Sequence, residues 1–253
     1  MTIYDEPEEL SAAVAGRPRP LLIGLDIDGV LSPIVGHADD AVLLDGVGDA
    51  VTAVAAHPTV DVAAISGRSL AGIAQFGFGE DIHVIGSHGM EPRDGTMTDL
   101  DDIEAARLHQ LDALVRAAAG RAGDGAWVES KPASVVLHVK QADPTSGATA
   151  LAELRIAASE IDGAIVKPGS AVLELLTRSA DKGTAMRQLA QRLGARTLVF
   201  VGDDVTDEDA FAVIGETGVT IKVGDGDTLA RHRLHGPADV RTWLQRLDGH
   251  LTD

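Results

Sequence analysis

The stretch Leu21–Gly29, with the sequence LLIGLDIDG, decides the fold class. Its first five residues form a short, nearly continuous apolar run, which is typical of a parallel strand that is covered on both faces. Asp26 and Asp28 follow this run, and because side chains alternate along an extended backbone, both carboxylates lie on the same side of the chain. The stretch therefore predicts a buried strand with an acidic pair at its carboxyl end.

Similar apolar runs recur along the chain and alternate with helical patterns. In Lys182–Leu193 the apolar residues fall on one helical face, and Gly194 stands where a C-cap glycine belongs. This alternation predicts an α/β fold with a doubly wound parallel sheet, which binds ligands beyond the carboxyl ends of its strands. The further predicted strands are Val60–Ile65, Ile82–Ile85, Thr197–Val201 and Val219–Val223.

The middle of the chain predicts a different kind of unit. Two helical patterns, at residues 101–119 and 146–161, are segregated from hairpin-like strand patterns at residues 126–129, 134–140, 164–167 and 172–177. Such segregation is typical of an α+β unit. We therefore expect an α/β core with an inserted α+β unit. The expected division is an N-terminal extension at 1–17, a core at 18–91 and 178–253, and the inserted unit at 92–177.

Composition excludes several classes of protein. The 253 residues carry 39 acidic and 21 basic side chains, a net charge of −18, and this field disfavours nucleic acid and anionic membranes as partners. The absence of cysteine excludes disulfides, thiolate metal sites and thiol catalysis. No stretch resembles a signal peptide or reaches the roughly 18 apolar residues of a membrane span, so we expect a cytoplasmic protein, and we expect a monomer.

The acidic pair predicts phosphate chemistry with a metal ion. Two like charges this close are costly without a cation, and Mg²⁺ prefers oxygen ligands. One of the carboxylates, Asp26 or Asp28, can then attack phosphorus while the other donates a proton to the leaving oxygen. A strand followed by an ordinary Asp-Gly turn is also compatible with these residues.

Two further strand ends and helix starts carry candidate phosphate ligands. The hydroxyl of Ser66 and the backbone N–H groups at Gly67 could cradle a phosphate, although Ser66 or Ser69 could also simply cap the helix that begins at Leu70. Lys182 opens a helix, where a lysine opposes the helix dipole and needs a compensating anion. A bound phosphate together with Asp26 would supply that anion, and a solvated surface lysine is the alternative.

The segment Gly202–Asp209 (GDDVTDED) holds five carboxylates at a strand end. Thr206 could cap a helix whose first turn contains the last three acids, where negative charge is favourable. That interpretation leaves Asp203 and Asp204 unexplained, and they are the metal candidates of this segment. All these signals fall on one edge of the predicted sheet, where an α/β fold binds its ligands.

These motifs resemble the haloacid dehalogenase superfamily of aspartate-nucleophile phosphatases over residues 21–91 and 180–247. The resemblance implies that Asp26 is the nucleophile and Asp28 the general acid and base. It also implies phosphate binding by Ser66 and Lys182, a Mg²⁺ site, and a C2-type cap between the serine and lysine motifs. The implied metal-binding set is Asp26, Asp28, Asp203 and Asp204, with Asp207 as an alternative to Asp204.

Finer features resemble the trehalose-6-phosphate phosphatase family. They are Gly86–Glu91 (GSHGME), Glu129–Lys131 (ESK) with His138–Lys140 (HVK), Val172–Glu174 (VLE) and the long segment from Gly202 to Phe211. Two departures stand out: Val30 replaces the usual threonine, and Val139-Lys140 replaces Tyr-Arg, exchanging a planar fork for a point charge. The substrate-binding candidates are Arg68, His88, Glu91, Glu129, Lys131, His138, Lys140 and Glu174.

The resemblance implies a Mg²⁺-dependent phosphatase that hydrolyses a sugar phosphate, most simply trehalose 6-phosphate, through an aspartyl-phosphate. Another glycosyl phosphate is the nearest alternative: a glucosyl-glycerate phosphate, a sucrose phosphate or a pseudo-disaccharide phosphate. A phosphoacceptor signalling domain is disfavoured by the chain length and by the Asp-x-Asp order. A non-catalytic sugar-phosphate binder is disfavoured because pure binding needs no acid/base partner. The cap charges could also be ordinary exposed side chains, and His88 could belong to a simple turn.

Overall fold

The computed structural model describes residues 3–37, 40–95, 100–178 and 181–252. The chain folds into two compact units. We name Met1–Met97 with Ala180–Asp253 the core unit, and Thr98–Ser179 the inserted unit. Within the described residues, none of the helices combines the length and the apolar character needed to traverse a bilayer.

A seven-stranded sheet forms the centre of the core unit. Its strands are β1 (Leu21–Leu25), β2 (Val60–Ile65), β3 (Ile82–Gly86), β4 (Glu91–Pro92), β9 (Thr197–Gly202), β10 (Val219–Val223) and β11 (His232–Leu234). They are arranged in the order β11-β10-β9-β1-β2-β3-β4, and every neighbouring pair is parallel except β3 and β4. The carboxyl ends of β1, β2 and β9 therefore meet at one edge.

Helices cover both faces of this sheet. They are α1 (Pro7–Ala15), α2 (Val47–Ala55), α3 (Leu70–Ile73), α6 (Lys182–Leu193), α7 (Glu208–Ile214) and α8 (Pro237–Thr252). The side chains of β1 alternate between the faces: Leu21 and Ile23 join a cluster with residues of α1, α2 and α8, while Leu22 joins a cluster with residues of α6 and α7. The predicted doubly wound α/β architecture is confirmed.

The segment expected to be an N-terminal extension contributes to the core. Pro7 occupies the first turn of α1, and the acidic Glu8 and Glu9 follow it, which suits a helix N-terminus. Leu10 and Val14 of α1 are fully buried in the same cluster as α8. The short helix is held by this packing, because nine residues are too few to form a stable helix alone.

The inserted unit is an α+β structure. Its strands β5 (Trp127–Ser130), β6 (Ser134–His138), β7 (Ile165–Gly169) and β8 (Val172–Leu176) form an antiparallel sheet in the order β5-β6-β8-β7. Helices α4 (Asp102–Ala122) and α5 (Pro144–Ser159) supply residues such as Leu111 and Leu154 to an aliphatic core with Leu137 and Leu173 of the sheet. The opposite face of this sheet, which we call the open face, carries the side chains that alternate with these. Trp127 and His138 are partly exposed there, whereas Ser134, Val136 and Leu176 are buried.

Candidate active site

The carboxylate of Asp26 lies buried at the end of β1. The backbone N–H of Asp26 donates to the carbonyl of Val201, so the parallel pairing of β1 with β9 fixes its position. Its Oδ1 accepts a hydrogen bond from the N–H of Ile27 at 2.7 Å, and its Oδ2 lies 2.7 Å from Nζ of Lys182. Burial raises the pKa of Asp26 to about 7; Lys182 opposes this rise, and the charge of Asp207 adds to it.

Lys182 joins two carboxylates beneath this strand end. It is the first residue of α6, where Asp181 caps the helix, and only 1% of it is exposed. Its Nζ lies 2.7 Å from Oδ2 of Asp26 and 2.7 Å from Oδ1 of Asp207. Burial disfavours the ammonium, but the two carboxylates outweigh it and the pKa of Lys182 is raised. The compensating anions expected for a lysine at a helix start are thus present within the chain itself.

Asp207 shapes the loop that follows β9. Its Oδ2 accepts hydrogen bonds from the backbone N–H groups of Asp203 at 2.8 Å and Asp204 at 2.9 Å, and its Oδ1 accepts from Lys182. Gly202 makes this possible, because a Cβ there would lie 2.3 Å from Cγ of Asp207. The carboxylate of Asp204 instead accepts from the N–H of Val205 at 2.6 Å. Asp207 is therefore a structural centre of the site, while Asp204 caps the short helical turn after it.

A cluster of oxygen ligands suited to a hard cation forms here. One carboxylate oxygen from each of Asp26, Asp203 and Asp207 lies within 4.8 Å of the others. Burial raises the pKa of Asp203 to about 6, and the charges of Asp207 and Asp204 act in the same direction. Burial and, to a smaller extent, repulsion between the carboxylates disfavour their charged forms, and a divalent cation would relieve both effects. The donors are all oxygens, so the cluster fits the predicted Mg²⁺.

Gly29 allows the metal candidate Asp203 to approach the acidic pair of β1. Gly29 has a φ of +78°, and a Cβ there would lie 2.0 Å from Oδ2 of Asp203. Both observations require glycine at this turn. On the other side, Nζ of Lys222 donates to the backbone carbonyl of Asp203. Lys222 was not among the residues predicted from the sequence, although a lysine inside the buried strand β10 was an available signal.

Asp28 engages an arginine and stands apart from the three-carboxylate cluster. Arg68 Nε lies 2.6 Å from Oδ2 of Asp28, and Nη2 lies 2.7 Å from Oδ1. The guanidinium carbon of Arg68 also lies 5.3 Å from the ring centroid of Phe76. Arg68 was predicted to bind substrate, and in the structure it orients the predicted acid/base.

The loop after β2 keeps its serine hydroxyl at the site. Ser69, not Ser66, is the N-cap of α3, since its side chain accepts from the N–H of Gly72. Oγ of Ser66 accepts from the N–H of Arg68 at 3.2 Å and is almost fully buried. Ser66 is therefore not a helix cap. It lies in a tight local turn, and it lines the same pocket as Asp26 and Asp28.

The segment after β3 braces the Ser66 loop. The N–H of Ser87 donates to the carbonyl of Arg68 at 2.7 Å, and the N–H of His88 donates to that of Ser66 at 2.9 Å. Ser87 and His88 both have positive φ, of 50° and 55°, a conformation that is costly for non-glycine residues. The carboxylate of Glu91 accepts from the N–H of Leu70 at 2.9 Å. His88 and Glu91 thus hold the loop in place.

A single pocket of the core unit gathers most of the predicted phosphate-site residues. It is lined by Asp26, Asp28, Ser66, Gly67, Arg68, His88, Lys182, Asp203 and Asp204. Three residues that were not predicted also line it: Ile34, Val35 and Thr206. Thr206 stands in the acidic segment singled out in the sequence, where it was considered only as a helix cap. Nothing in the spacing of the sequence signals Ile34 and Val35, because they lie on a loop whose path depends on the tertiary fold.

The remaining candidates lie in the inserted unit. Nε2 of His138 lies 2.9 Å from Oε2 of Glu129, and Oε1 of Glu174 accepts from Oγ of Ser134 at 2.7 Å and from Nζ of Lys131 at 3.3 Å. The register pairs Glu129 with Val136 and Val136 with Glu174, which places the two glutamates on the same row of the open face.

Val139 and Lys140, which depart from the family pattern, lie in different environments. Val139 is buried in the aliphatic core of the inserted unit, where its Cβ lies against Gly147. Lys140 is exposed in the turn beyond β6. The apolar replacement is therefore explained by packing.

Comparisons with known proteins identify the family. The family model described as Trehalose-phosphatase matches residues 24–237. Trehalose-6-phosphate phosphatase of Escherichia coli is 31% identical over 226 residues, covering 88% of this chain and 84% of that protein. An uncharacterized glycosyl hydrolase of Mycobacterium tuberculosis is 36% identical over 259 residues and covers 94% of this chain, but this chain spans only 19% of that relative's length.

Solved structures agree with the sequence comparisons. The structure of Aspergillus fumigatus trehalose-6-phosphate phosphatase superposes with a TM-score of 0.70 at 25% identity, covering 98% of this chain and 99% of that chain. The resemblance inferred from the motifs is thereby confirmed. Because the family model spans most of the chain, the protein belongs to the trehalose-phosphatase family, a family of phosphate-ester hydrolases.

Proposed function

We propose that this chain is a Mg²⁺-dependent phosphatase that hydrolyses trehalose 6-phosphate to trehalose and phosphate. The observation that carries the proposal is the buried Asp26–Lys182 pair, which lies beside Asp203 at the carboxyl edge of the parallel sheet. The name of the E. coli relative supports the choice of sugar phosphate.

In the proposed first step, a carboxylate oxygen of Asp26 attacks phosphorus and the bond from phosphorus to the sugar oxygen breaks. Asp28 gives a proton to the departing oxygen, which leaves as the sugar hydroxyl. The product on the protein is an aspartyl-phosphate at Asp26. Arg68 supports this step by fixing the orientation of Asp28 through two hydrogen bonds.

In the proposed second step, the oxygen of a water molecule attacks phosphorus while Asp28 takes a proton from that water. The bond between phosphorus and Asp26 breaks, which restores the carboxylate and releases inorganic phosphate. Lys182 lies 2.7 Å from Asp26 and would balance charge on the phosphoryl oxygens, and the hydroxyl of Ser66 would donate a hydrogen bond to them.

We infer that Asp26 and Asp203 hold the metal ion. Of the other two predicted ligands, Asp28 is engaged by Arg68 and Asp204 caps the turn after β9. Asp207 is less available, because Lys182 and two backbone N–H groups occupy its oxygens. When bound, Mg²⁺ would neutralise negative charge on the phosphoryl group and on the acidic cluster.

The division of labour follows the two units. We propose that the core unit performs the phosphate chemistry and that Glu129, Lys131 and Glu174 on the inserted unit recognise sugar hydroxyls. The charged pairs that these residues form are partly exposed, so their hydrogen-bonding groups can be shared with a ligand. The expected C2-type cap remains part of this proposal.

The proposal is tested by turnover of a sugar-phosphate panel by the purified protein with Mg²⁺. The panel contains trehalose 6-phosphate, sucrose 6-phosphate, a glucosyl-glycerate phosphate and glucose 6-phosphate. We expect the highest kcat/KM on trehalose 6-phosphate and no multiple turnover by Asp26→Asn, because an amide cannot replace the nucleophile. A higher kcat/KM on another glycosyl phosphate would reassign the substrate, and turnover by Asp26→Asn would remove Asp26 from the nucleophile role.

A further inference from the structure

We propose that Trp127 and His138 form a stacking platform for a sugar ring on the open face of the inserted unit. This inference rests on the proposed function and deepens it, because it assigns an apolar contact to the recognition of the sugar. Trp127 lies outside the motifs that carry the family resemblance. The ligand chemistry is a pyranose ring, which presents C–H groups on its faces and hydroxyls around its edge.

The two aromatic rings are a cross-strand pair. Trp127 on the edge strand β5 is paired with His138 on β6, and their ring centroids lie 3.8 Å apart with an interplanar angle of 2°. The imidazole therefore covers one face of the indole. Trp127 is nevertheless 50% exposed. Because the imidazole covers one face of the indole, we infer that the opposite face is available to a ligand ring.

Hydrogen-bonding groups flank the platform on the same face of the sheet. Nε2 of His138 lies 2.9 Å from Oε2 of Glu129, so the imidazole joins the indole directly to the carboxylate predicted to bind sugar hydroxyls. Trp127 and Glu129 are two residues apart on one strand, a separation of about 7 Å along it. A hydrophobic ring beside oriented carboxylates is the pairing that recognises a sugar, whose faces are apolar and whose edges are polar.

Packing of the inserted unit does not explain this tryptophan. It is the only Phe, Trp or Tyr between residues 98 and 179. The core of the unit is built from aliphatic residues such as Leu111, Val115 and Leu175, each of them fully buried. Trp127, the single large aromatic side chain of the unit, thus lies on its surface, next to the cross-strand row of Glu129, Val136 and Glu174.

The first test is a fluorescence titration with trehalose, without phosphate or Mg²⁺. The chain has two tryptophans, and Trp243 is fully buried, so a ligand at the surface of the inserted unit should change the emission of Trp127. We expect a saturable blue shift with trehalose, no shift with the open-chain polyol mannitol, and loss of the response in Trp127→Phe. No saturable change in the parent protein, or the same change in Trp127→Phe, would overturn the platform.

The second test compares two substrates in the alanine variant. Trp127→Ala should lower kcat/KM for trehalose 6-phosphate by about 5- to 150-fold, if the contact is as strong as that of an aromatic side chain stacked on a nucleobase, and leave p-nitrophenyl phosphate within about two-fold. Trp127→Phe should retain most of the activity. Ile156→Ala, which removes a side chain that is 68% exposed on α5, is the matched control and should match the parent on both substrates.

The outcomes separate this inference from the proposed function. A trehalose-dependent shift in a protein that does not hydrolyse trehalose 6-phosphate would support the platform and overturn the proposed substrate. Hydrolysis of trehalose 6-phosphate that is unchanged in Trp127→Ala would support the proposed function and overturn the platform. Equal losses on both substrates in Trp127→Ala would also overturn the platform, because they would show that the stacked Trp127 and His138 only stabilise the fold.

Discussion

Arg68 holds both carboxylate oxygens of Asp28, with Nε 2.6 Å from Oδ2 and Nη2 2.7 Å from Oδ1. Such a bidentate pair fixes the plane of the carboxylate as well as its position. Asp28 has no comparable contact with the buried cluster of Asp26, Asp203 and Asp207 among the described residues. The arrangement separates the predicted proton carrier from the carboxylates that would bind metal and phosphorus.

Asp28→Asn should distinguish substrates by their leaving groups. A sugar alcohol needs a proton to depart and p-nitrophenolate does not, and general acid catalysis contributes about 10²- to 10⁴-fold. We therefore expect kcat on trehalose 6-phosphate to fall by that order, and kcat on p-nitrophenyl phosphate to fall much less. Equal losses would identify Asp28 as a structural or metal-binding residue.

Arg68→Lys tests whether Arg68 acts through Asp28. A lysine cannot reproduce the bidentate contact, so we expect kcat on trehalose 6-phosphate to fall about 10-fold or more while p-nitrophenyl phosphate is affected less. Steady-state kinetics on both substrates check this. If Arg68 contacts the phosphate directly, in line with the substrate-binding role predicted from the sequence, KM should rise for both substrates alike.

The metal-free protein should lose stability as the pH rises from about 4 to about 7. Asp26 and Asp203 have pKa values of about 7 and 6 in the folded protein, above the ordinary 3.8. The folded state therefore binds more protons than the unfolded chain between about pH 4 and 7, and this contribution to the free energy of unfolding disappears as the pH rises through that window.

Asp26→Asn should remove the larger part of this effect. In thermal melts in EDTA at pH 5 to 8, the Tm of Asp26→Asn should increase relative to the Tm of the parent as the pH increases. Asp124→Asn, at an exposed position of the inserted unit, should stay parallel to the parent. A constant Tm difference between Asp26→Asn and the parent across this range would mean that Asp26 titrates at its ordinary value in the folded protein.

Phosphatase activity should require Mg²⁺, and Asp203 and Asp204 should contribute unequally. EDTA should abolish turnover, and Asp203→Ala should raise the Mg²⁺ concentration for half activation by at least about 10-fold, because it removes one oxygen ligand of the cluster. Asp204→Ala is the matched variant: it loses a helix cap, which costs about 1 kcal/mol of stability, and should leave the Mg²⁺ requirement nearly unchanged. Full activity after exhaustive chelation would leave the acidic segment as a capping structure only.

Lys131→Ala and Glu174→Ala should affect sugar recognition and spare the phosphate chemistry. A hydrogen bond to a charged group contributes about 1.5–3 kcal/mol, so kcat/KM on trehalose 6-phosphate should fall about 10- to 100-fold in each variant. Arg155→Ala, at an exposed position of α5, provides a comparison for loss of a surface charge. Parallel losses on p-nitrophenyl phosphate would assign Lys131 and Glu174 to folding of the inserted unit.

Local patterns were sufficient for the elements on which the site is built. The predicted bounds of β1, β2, β10 and α6 coincide with the structure, because an apolar run bounded by turn residues, or a 3.6-residue periodicity closed by Gly194, is a property of adjacent residues. The acidic pair, the serine and the lysine could be placed at one edge from the same patterns, since parallel strands end together.

Contacts between distant residues were decided only by the tertiary structure. The three acids Asp207, Glu208 and Asp209 are equivalent as a helix start in the sequence. In the structure the carboxylate of Asp207 is fully buried and binds Lys182 and the backbone of its own loop, whereas Asp209 is exposed and Glu208 binds Thr228. Likewise, Arg68 faces Asp28, forty residues away, and Trp127 stacks on His138 across a hairpin. Spacing along the chain determines which strand end a residue occupies, but a side chain's partner depends on the register and the packing of separate elements, which bring together groups that no local pattern relates.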